Sequence, residues 1–128
     1  MSRPSTILIV EDNQFLARIL TERLKGEGFQ VVIALSGAEA LQRIVEAIPS
    51  LVILDLLLPG QLDGFEVLRR LRAAPETADL LVMVLTNLET KEVAEKSSSL
   101  KAVYIAKAYT DTAEIIKKAK QMLEGENV

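Results

Sequence analysis

The sequence predicts a doubly wound α/β domain, a parallel sheet covered by helices on both faces. Two features point there. Five short apolar runs, Thr6–Val10, Val31–Ala34, Leu51–Leu54, Leu80–Leu85 and Ala102–Ala106, lack the alternation of a half-solvated strand. They read as strands buried on both faces. Each is followed by a stretch with helical spacing of apolar residues. Such strand-then-helix repetition makes a parallel sheet, and right-handed crossovers leave few topologies. Ligands of these sheets bind beyond the carboxyl ends of the strands.

The elements follow in order. The first strand stops abruptly at Glu11-Asp12-Asn13. Phe15, Leu16, Ile19, Leu20 and Leu24 then recur at helical spacing, and Gly26 and Gly28 stop that helix. After the second strand, Ser36 and Glu39 have the spacing of a capping box. The expected buried stripe is Ala40, Leu41, Ile44, Val45 and Ile48, closed by Pro49. After the third strand, Asp63 is placed to cap a third helix with Glu66 three residues on; Phe65, Leu68 and Leu71 face the core, and Pro75 ends it. From Asn87 to Leu100 periodicity is weak, and Ser97-Ser98-Ser99 is poor helix material. A short, frayed helix is expected there. Tyr104 lies in the fifth strand. Asp111 and Glu114 open a last helix with the stripe Ile115, Ile116, Ala119, Met122 and Leu123, and a tail follows from Glu124.

Composition narrows the chemistry. The 128 residues suit one domain, 1–128, with a core of about 6–123. Apolar residues make up 49 % and charged residues 26 %, the balance of a globular domain. With no cysteine, disulfides, zinc–thiolate sites and thiol catalysis are excluded; with no histidine, so are imidazole bases, triads and His-ligated metals. No run reaches the ~18 apolar residues of a membrane span, and Met1–Ser5 does not resemble a signal peptide. A net charge of −3 argues against non-specific nucleic-acid binding.

The residues at the strand ends carry the chemistry. Strand one ends in Glu11 and Asp12, strand three in Asp55, strand four in Thr86 and strand five in Lys107. Each alone has an ordinary explanation: a turn acid, a helix cap, a surface lysine. Their joint placement at four of five strand ends does not. Converging carboxylates repel, and some would have to take up protons. A divalent cation removes the conflict, and hard oxygen donors favour Mg²⁺. A carboxylate beside Mg²⁺ and a lysine is a nucleophile toward phosphorus and forms an acyl phosphate. Asp55 is already ionised, so no general base is needed. Thr86 can then hydrogen-bond the new phosphoryl group.

These residues resemble the receiver domain of two-component response regulators. The carrying pieces are Ile7–Asn13, Gly28–Val31, Ala34–Leu41, Asp55–Gly60 and Asp63–Leu68, and the match runs from about Thr6 to Leu123. The resemblance implies a flavodoxin-like (βα)5 three-layer sandwich with strand order 2-1-3-4-5. It implies that Asp55 is the phosphoacceptor. Asp12, Asp55 and the Leu57 backbone carbonyl would bind Mg²⁺, with Glu11 reaching it through water. Lys107 would contact the phosphoryl group. Thr86 and Tyr104 would couple phosphorylation to the surface of the fourth helix, fifth strand and fifth helix. The donor would be a phosphohistidine on a sensor histidine kinase or a histidine phosphotransfer protein, and the recipient of the signal a downstream protein or output domain. A cytoplasmic location is expected, with no membrane and no direct nucleic-acid contact. The chain would be a monomer or a phosphorylation-dependent dimer. It would not be an enzyme beyond self-catalysed phosphoryl transfer and slow autodephosphorylation.

Four departures from the family pattern matter. Ala108 stands where proline usually follows the lysine. The Lys107–Ala108 bond is therefore expected either as a costly cis peptide or, preferentially, as trans with Lys107 displaced. The turn Pro59–Gly64 is one residue longer than usual. Leu100-Lys101 replaces the usual Gly-Ala before the fifth strand, and the interval from Thr86 to Lys107 is one residue short, which puts the fourth helix in doubt. Leu57 and Leu88 flank the phosphoryl site without a polar group to orient water, so a slowly hydrolysing acyl phosphate is expected. Phe15 and Ile19 lie on the first helix, a docking face in the family; core packing is the favoured role for Phe15. Lys91, Lys96, Lys101, Lys117, Lys118 and Lys120 are expected to be solvated helix charges rather than a basic output face. Two other functions compete. A degenerate receiver would act only as a phosphorylation-independent scaffold. An aspartyl-phosphate hydrolase would need a second acid two residues after the nucleophile, where Leu57 stands.

Overall fold

The computed structural model describes residues 5–125. Its elements are β1 (Thr6–Val10), α1 (Gln14–Gly26), β2 (Gln30–Ala34), α2 (Gly37–Glu46), β3 (Leu51–Leu54), α3 (Gly64–Ala73), β4 (Leu81–Thr86), α4 (Lys91–Ser99), β5 (Val103–Ala106), a 3-10 turn (Lys107–Tyr109) and α5 (Thr112–Leu123). All strand pairs are parallel, in the order β2-β1-β3-β4-β5. This is the expected doubly wound, flavodoxin-like sandwich. Most of the expected tail, residues 126–128, lies outside the described residues. No helix among the described residues is long and apolar enough to cross a membrane.

Strand periodicity divides the core in two. Leu8, Val10, Val52, Leu54, Val82 and Val84 point to one face and pack with Ala40, Ile44, Val67, Leu68 and Val93 of α2, α3 and α4. Ile7, Ile9, Leu51, Ile53, Met83 and Leu85 point to the other and pack with Leu20, Leu24, Ile115, Ile116 and Ala119 of α1 and α5. Alternate side chains along one strand serve opposite layers, so a sheet buried on both faces is apolar throughout.

The helices begin where side-chain oxygens take up free N–H groups. Ser36 Oγ accepts from Glu39 N–H, Asp63 Oδ1 from Glu66 N–H, and Asp111 Oδ1 from Glu114 N–H. Asn13 Oδ1 and Thr90 Oγ1 cap α1 and α4 in the same way. Asn13 thus both ends the acidic run and starts the first helix.

Three apolar residues expected in the core are not there. Phe15 is 76 % exposed, because the buried stripe of α1 is Ala17, Leu20 and Leu24. Two residues before Ala17, it lies roughly 200° around the helix. Val45 is 87 % exposed, next to buried Ile44 on α2, and Ile48 is 52 % exposed. The helix ends at Glu46, so helical spacing no longer governs Ile48. Phe65 and Leu41 pack only partly buried against the core.

Helix α4 is short, as expected, but closed at both ends rather than frayed. Ser97 is fully buried and donates to Val93 C=O, and Ser99 Oγ donates to Lys96 C=O, so the serine run bonds back into the helix. Arg72 on α3 braces its far end. Its Nε donates to Leu100 C=O at 2.7 Å, and its Nη atoms donate to Thr77, Ala78 and Lys101 carbonyls. Five of the six lysines expected as solvated charges pair with nearby acids: Lys91 with Glu95, Lys96 with Glu92, Lys118 with Glu114, Lys120 with Glu27 and Lys101 with Asp79. Such exposed pairs contribute little to stability.

Candidate functional site: an acidic strand edge closed by a lysine

The register of β1 and β3 brings the acids together. Val10 pairs with Ala34 on one side and Leu54 on the other, so Glu11 and Asp55 leave adjacent strands at the same level. Glu11 N–H donates to Ala34 C=O, and Asp55 N–H donates to Val10 C=O. Each carboxylate is thereby mounted on the end of a strand that cannot move without breaking the sheet. Glu11, Asp12 and Asp55 each offer an oxygen within 4.8 Å of the others. Glu11 is 3 % exposed and Asp55 6 %, whereas Asp12 faces solvent. The cluster therefore has a buried wall and an open mouth.

Lys107 closes it from β5. Its Nζ donates to Glu11 Oε1 at 2.5 Å and to Asp55 Oδ2 at 3.0 Å. The Lys107–Ala108 bond is trans, yet the expected displacement of the ammonium is not seen. The side chain reaches the site from the 3-10 turn that follows β5. The long, flexible stem of lysine lets its charge arrive without help from a special peptide geometry.

The remaining expected residues surround this centre. Leu57 N–H donates to the other Asp55 oxygen, Oδ1, at 3.1 Å, while the Leu57 side chain is half exposed. Asp55 is thus held between the Lys107 ammonium and the backbone of its own loop. Thr86 ends β4, the strand between those of Asp55 and Lys107, and is fully buried. Its hydroxyl accepts from Leu88 N–H at 3.3 Å. Tyr104 O–H donates to Leu88 C=O at 2.9 Å. Both residues therefore grip the same residue of the β4–α4 loop, from opposite ends.

The charges do not balance. One ammonium faces three carboxylates. Burial raises the Glu11 carboxyl above its ordinary value, although the Lys107 hydrogen bond and the Asn13 N–H both oppose this. Burial would lower Lys107, but its hydrogen bonds to Glu11 and Asp55 outweigh that and hold it above the usual lysine value. Both groups thus hold their protons more tightly than free side chains, Glu11 chiefly because it is buried and Lys107 because two carboxylates face it. The donor set is all oxygen, since the chain has no histidine or cysteine. An all-carboxylate pocket with an open side fits a hard divalent cation that keeps part of its water shell.

Strand-end logic found Glu11, Asp12, Asp55, Thr86 and Lys107; Leu57, Leu88 and Tyr104 came only from the family resemblance. It did not find Arg72, whose bonding partners start five residues on and reach across to the α4–β5 corner. Nothing in its neighbourhood in the sequence marks it. Nor did it assign a role to Gly64, although Asp63-Gly64 was prominent as a motif.

Known proteins share the sequence pattern and the fold. The family model for the response regulator receiver domain matches residues 7–120. The phosphate regulon transcriptional regulatory protein PhoB of Rhizobium meliloti is 39 % identical over 118 residues, covering 91 % of this chain and 51 % of that protein. The chain spans about half the length of such curated relatives. A putative response regulator from Chloroflexus aurantiacus superposes with a TM-score of 0.85 at 35 % identity, over 94 % of this chain and 98 % of that one. The Mn²⁺-bound form of the response regulator Rcp1 gives 0.85 at 27 % identity, over 98 % and 99 % of the two chains. The matches of family model, sequence and fold lead to one conclusion: this chain belongs to the response regulator receiver domain family.

Proposed function

We propose that the chain is a phosphorylatable switch that takes a phosphoryl group from a phosphohistidine onto Asp55. The observation that carries this is the Lys107 ammonium hydrogen-bonded to Asp55 Oδ2, within a cluster that Asp55 forms with Glu11 and Asp12. A carboxylate oxygen of Asp55 attacks phosphorus, the P–N bond breaks, and its electron pair returns to the imidazole ring, which takes up a proton. Asp12, Asp55 and the Leu57 carbonyl would hold Mg²⁺, with Glu11 reaching it through water, and the ion would supply charge stabilisation for the phosphoryl oxygens. Lys107 is placed to follow the charge from the Asp55 carboxylate to the phosphoryl group. Rcp1, which shares this fold, was solved in a Mn²⁺-bound form, and this supports divalent-cation binding here.

Thr86 and Tyr104 read the result. A Thr86 hydroxyl that turns toward a phosphoryl group gives up the Leu88 N–H, and Tyr104 holds the carbonyl of that same residue. The β4–α4 loop is then a two-state element biased by one local charge event. Leu57 and Leu88 bring no polar group to orient water, so the acyl phosphate decays slowly; decay within seconds would contradict this. The chemistry stops at self-catalysed transfer and loss of that group, with no metabolite turned over.

The partners proposed are a sensor histidine kinase or histidine phosphotransfer protein upstream and a protein or output domain downstream, in the cytoplasm. PhoB is a transcriptional regulatory protein and MtrA a DNA-binding response regulator by name. Any DNA contact would belong to sequence beyond these residues, which act through protein contacts as a single receiver domain, monomeric or dimerising on phosphorylation. Nothing favours a phosphorylation-independent scaffold, since Lys107 reaches Asp55 despite Ala108 and α4 is formed.

The test is incubation with Mg²⁺ and acetyl phosphate. A mass increase of one phosphoryl group is expected for the wild type and none for Asp55→Asn. An unmodified wild type, or a modified Asp55→Asn, rules the proposal out.

A further inference from the structure

The Asp63-Gly64 pair does more than start α3. A Cβ built on Gly64 would lie 2.2 Å from the Asp55 carbonyl oxygen and 2.6 Å from Leu56 Cα. These are backbone atoms, and they cannot rotate aside as a side-chain tip can. Gly64 N–H also donates to Leu56 C=O. The first turn of α3 therefore rests directly on the peptide that follows the phosphoacceptor. A second such contact lies at the other end of the loop. A Cβ on Gly37, the first residue of α2, would lie 2.5 Å from the Leu62 carbonyl oxygen. The loop from Leu56 to Asp63 is wedged between two helix starts, each bare at the point of contact.

We propose that Gly64 is a positioning residue for the phosphoacceptor site, with Gly37 as its counterpart: their bare Cα atoms seat the 56–63 loop and so aim Asp55 and Leu57. This rests on the function proposed above. Two bodies meet at Gly64, and the one that yields is the loop. Helix α3 is anchored by Val67, Leu68 and Leu71, all buried in the core. Asp55 N–H is fixed to β1. The Leu56 side chain is buried in the same core, so what can yield is the peptide between these two anchors and the exposed residues 57 and 59–61 beyond it. An added methyl group would therefore turn the Asp55–Leu56 peptide. That strains the Leu57 N–H bond to Asp55 Oδ1 and moves the Leu57 carbonyl, while β3 and the body of α3 stay in place.

The experiment is Mg²⁺ titration of the 128-residue chain, followed by NMR at a temperature where each variant is folded. Gly64→Ala is expected to weaken Mg²⁺ binding about tenfold or more, the size of effect seen when groups orienting a metal's ligands are lost. Gly37→Ala should weaken it less, and Gly26→Ala, which meets nothing within 4 Å, not at all. A purely structural role would lower the melting temperature of Gly64→Ala and leave the affinity of the folded variant within twofold of wild type; that result overturns the proposal. Should Gly64→Ala not fold, Gly37→Ala decides by the same readout, and an unchanged affinity there overturns it too. A wild type that does not respond to Mg²⁺ overturns the function proposed above, and this inference with it.

Discussion

Helices α1 and α4 end in the same hydrogen-bonding pattern with opposite residues at its centre. After α1, Gly28 takes φ 95; its N–H donates to Lys25 C=O, and Phe29 N–H donates to Leu24 C=O. After α4, Lys101 takes φ 59; its N–H donates to Ser98 C=O, and Ala102 N–H donates to Ser97 C=O. Both are Schellman closures that satisfy carbonyls the last turn leaves open. Glycine enters this backbone region freely, whereas a residue with a Cβ is strained there by about 1–2 kcal/mol. At α4 that strain is offset by Arg72, which bonds the Leu100 and Lys101 carbonyls from α3. One helix end is stabilised by its own sequence, the other by a side chain from a different helix.

The comparison breaks most sharply at Arg72. Arg72→Met strips hydrogen bonds from the Leu100, Thr77, Ala78 and Lys101 carbonyls and is expected to lower the unfolding free energy by about 2–3 kcal/mol. Hydrogen exchange should accelerate at the Lys101 and Ala102 amides and not at Gly28 and Phe29. Unchanged protection at Lys101 and Ala102 would show that Arg72 is no brace. Gly28→Ala tests the other side, with an expected loss of about 1–2 kcal/mol in urea denaturation and faster exchange confined to the end of α1. Lys101→Gly should do the reverse and stabilise the chain by about 0.5–1 kcal/mol, because relief of strain exceeds the added flexibility of the unfolded chain. It should also reduce the cost of Arg72→Met, which a double-mutant cycle reads directly.

Glu11 sharpens the same contrast at the site end. Like Lys101 it is held against its own preference by a distant partner, here Lys107. Its carboxyl is raised by burial, so the folded chain binds that proton more tightly than the unfolded chain. Stability contributed by Glu11 is present below its ordinary value near ~4.3 and is lost as pH rises through the raised one. The effect is the smallest of the set. It is a shallow fall in melting temperature with pH, measured without Mg²⁺, that Glu11→Gln should flatten. A steeper fall in the variant would contradict the assignment.

Legibility in the sequence followed the same division. The strands were readable because burial on both faces leaves an uninterrupted apolar run, as in Leu51–Leu54. Ser36, Asp63 and Asp111 were readable as caps because a cap and its partner lie three residues apart. Glu11, Asp12, Asp55, Thr86 and Lys107 stood out because strand ends are locally marked and parallel strands end on one edge. Phe15 and Val45 were misplaced because the buried stripes of α1 and α2 are narrower than the apolar spacing suggests, and Ile48 because α2 ends at Glu46. The displacement expected for Lys107 was likewise wrong, since the reach of a four-carbon stem depends on where β5 ends relative to β1 and β3.

The sequence by itself determined the order and type of the elements, most helix starts, and which chemical groups stand at the sheet's carboxyl edge. Those follow from backbone and side-chain preferences acting over a few residues. Tertiary structure decided that Lys107 bonds Glu11, 96 residues away, that Arg72 closes a corner 28 residues away, and that Gly64 lies against the Asp55 carbonyl. Those contacts exist only once the sheet has closed and the helices have packed. Their energies depend on distance in space, and local preference carries no information about it.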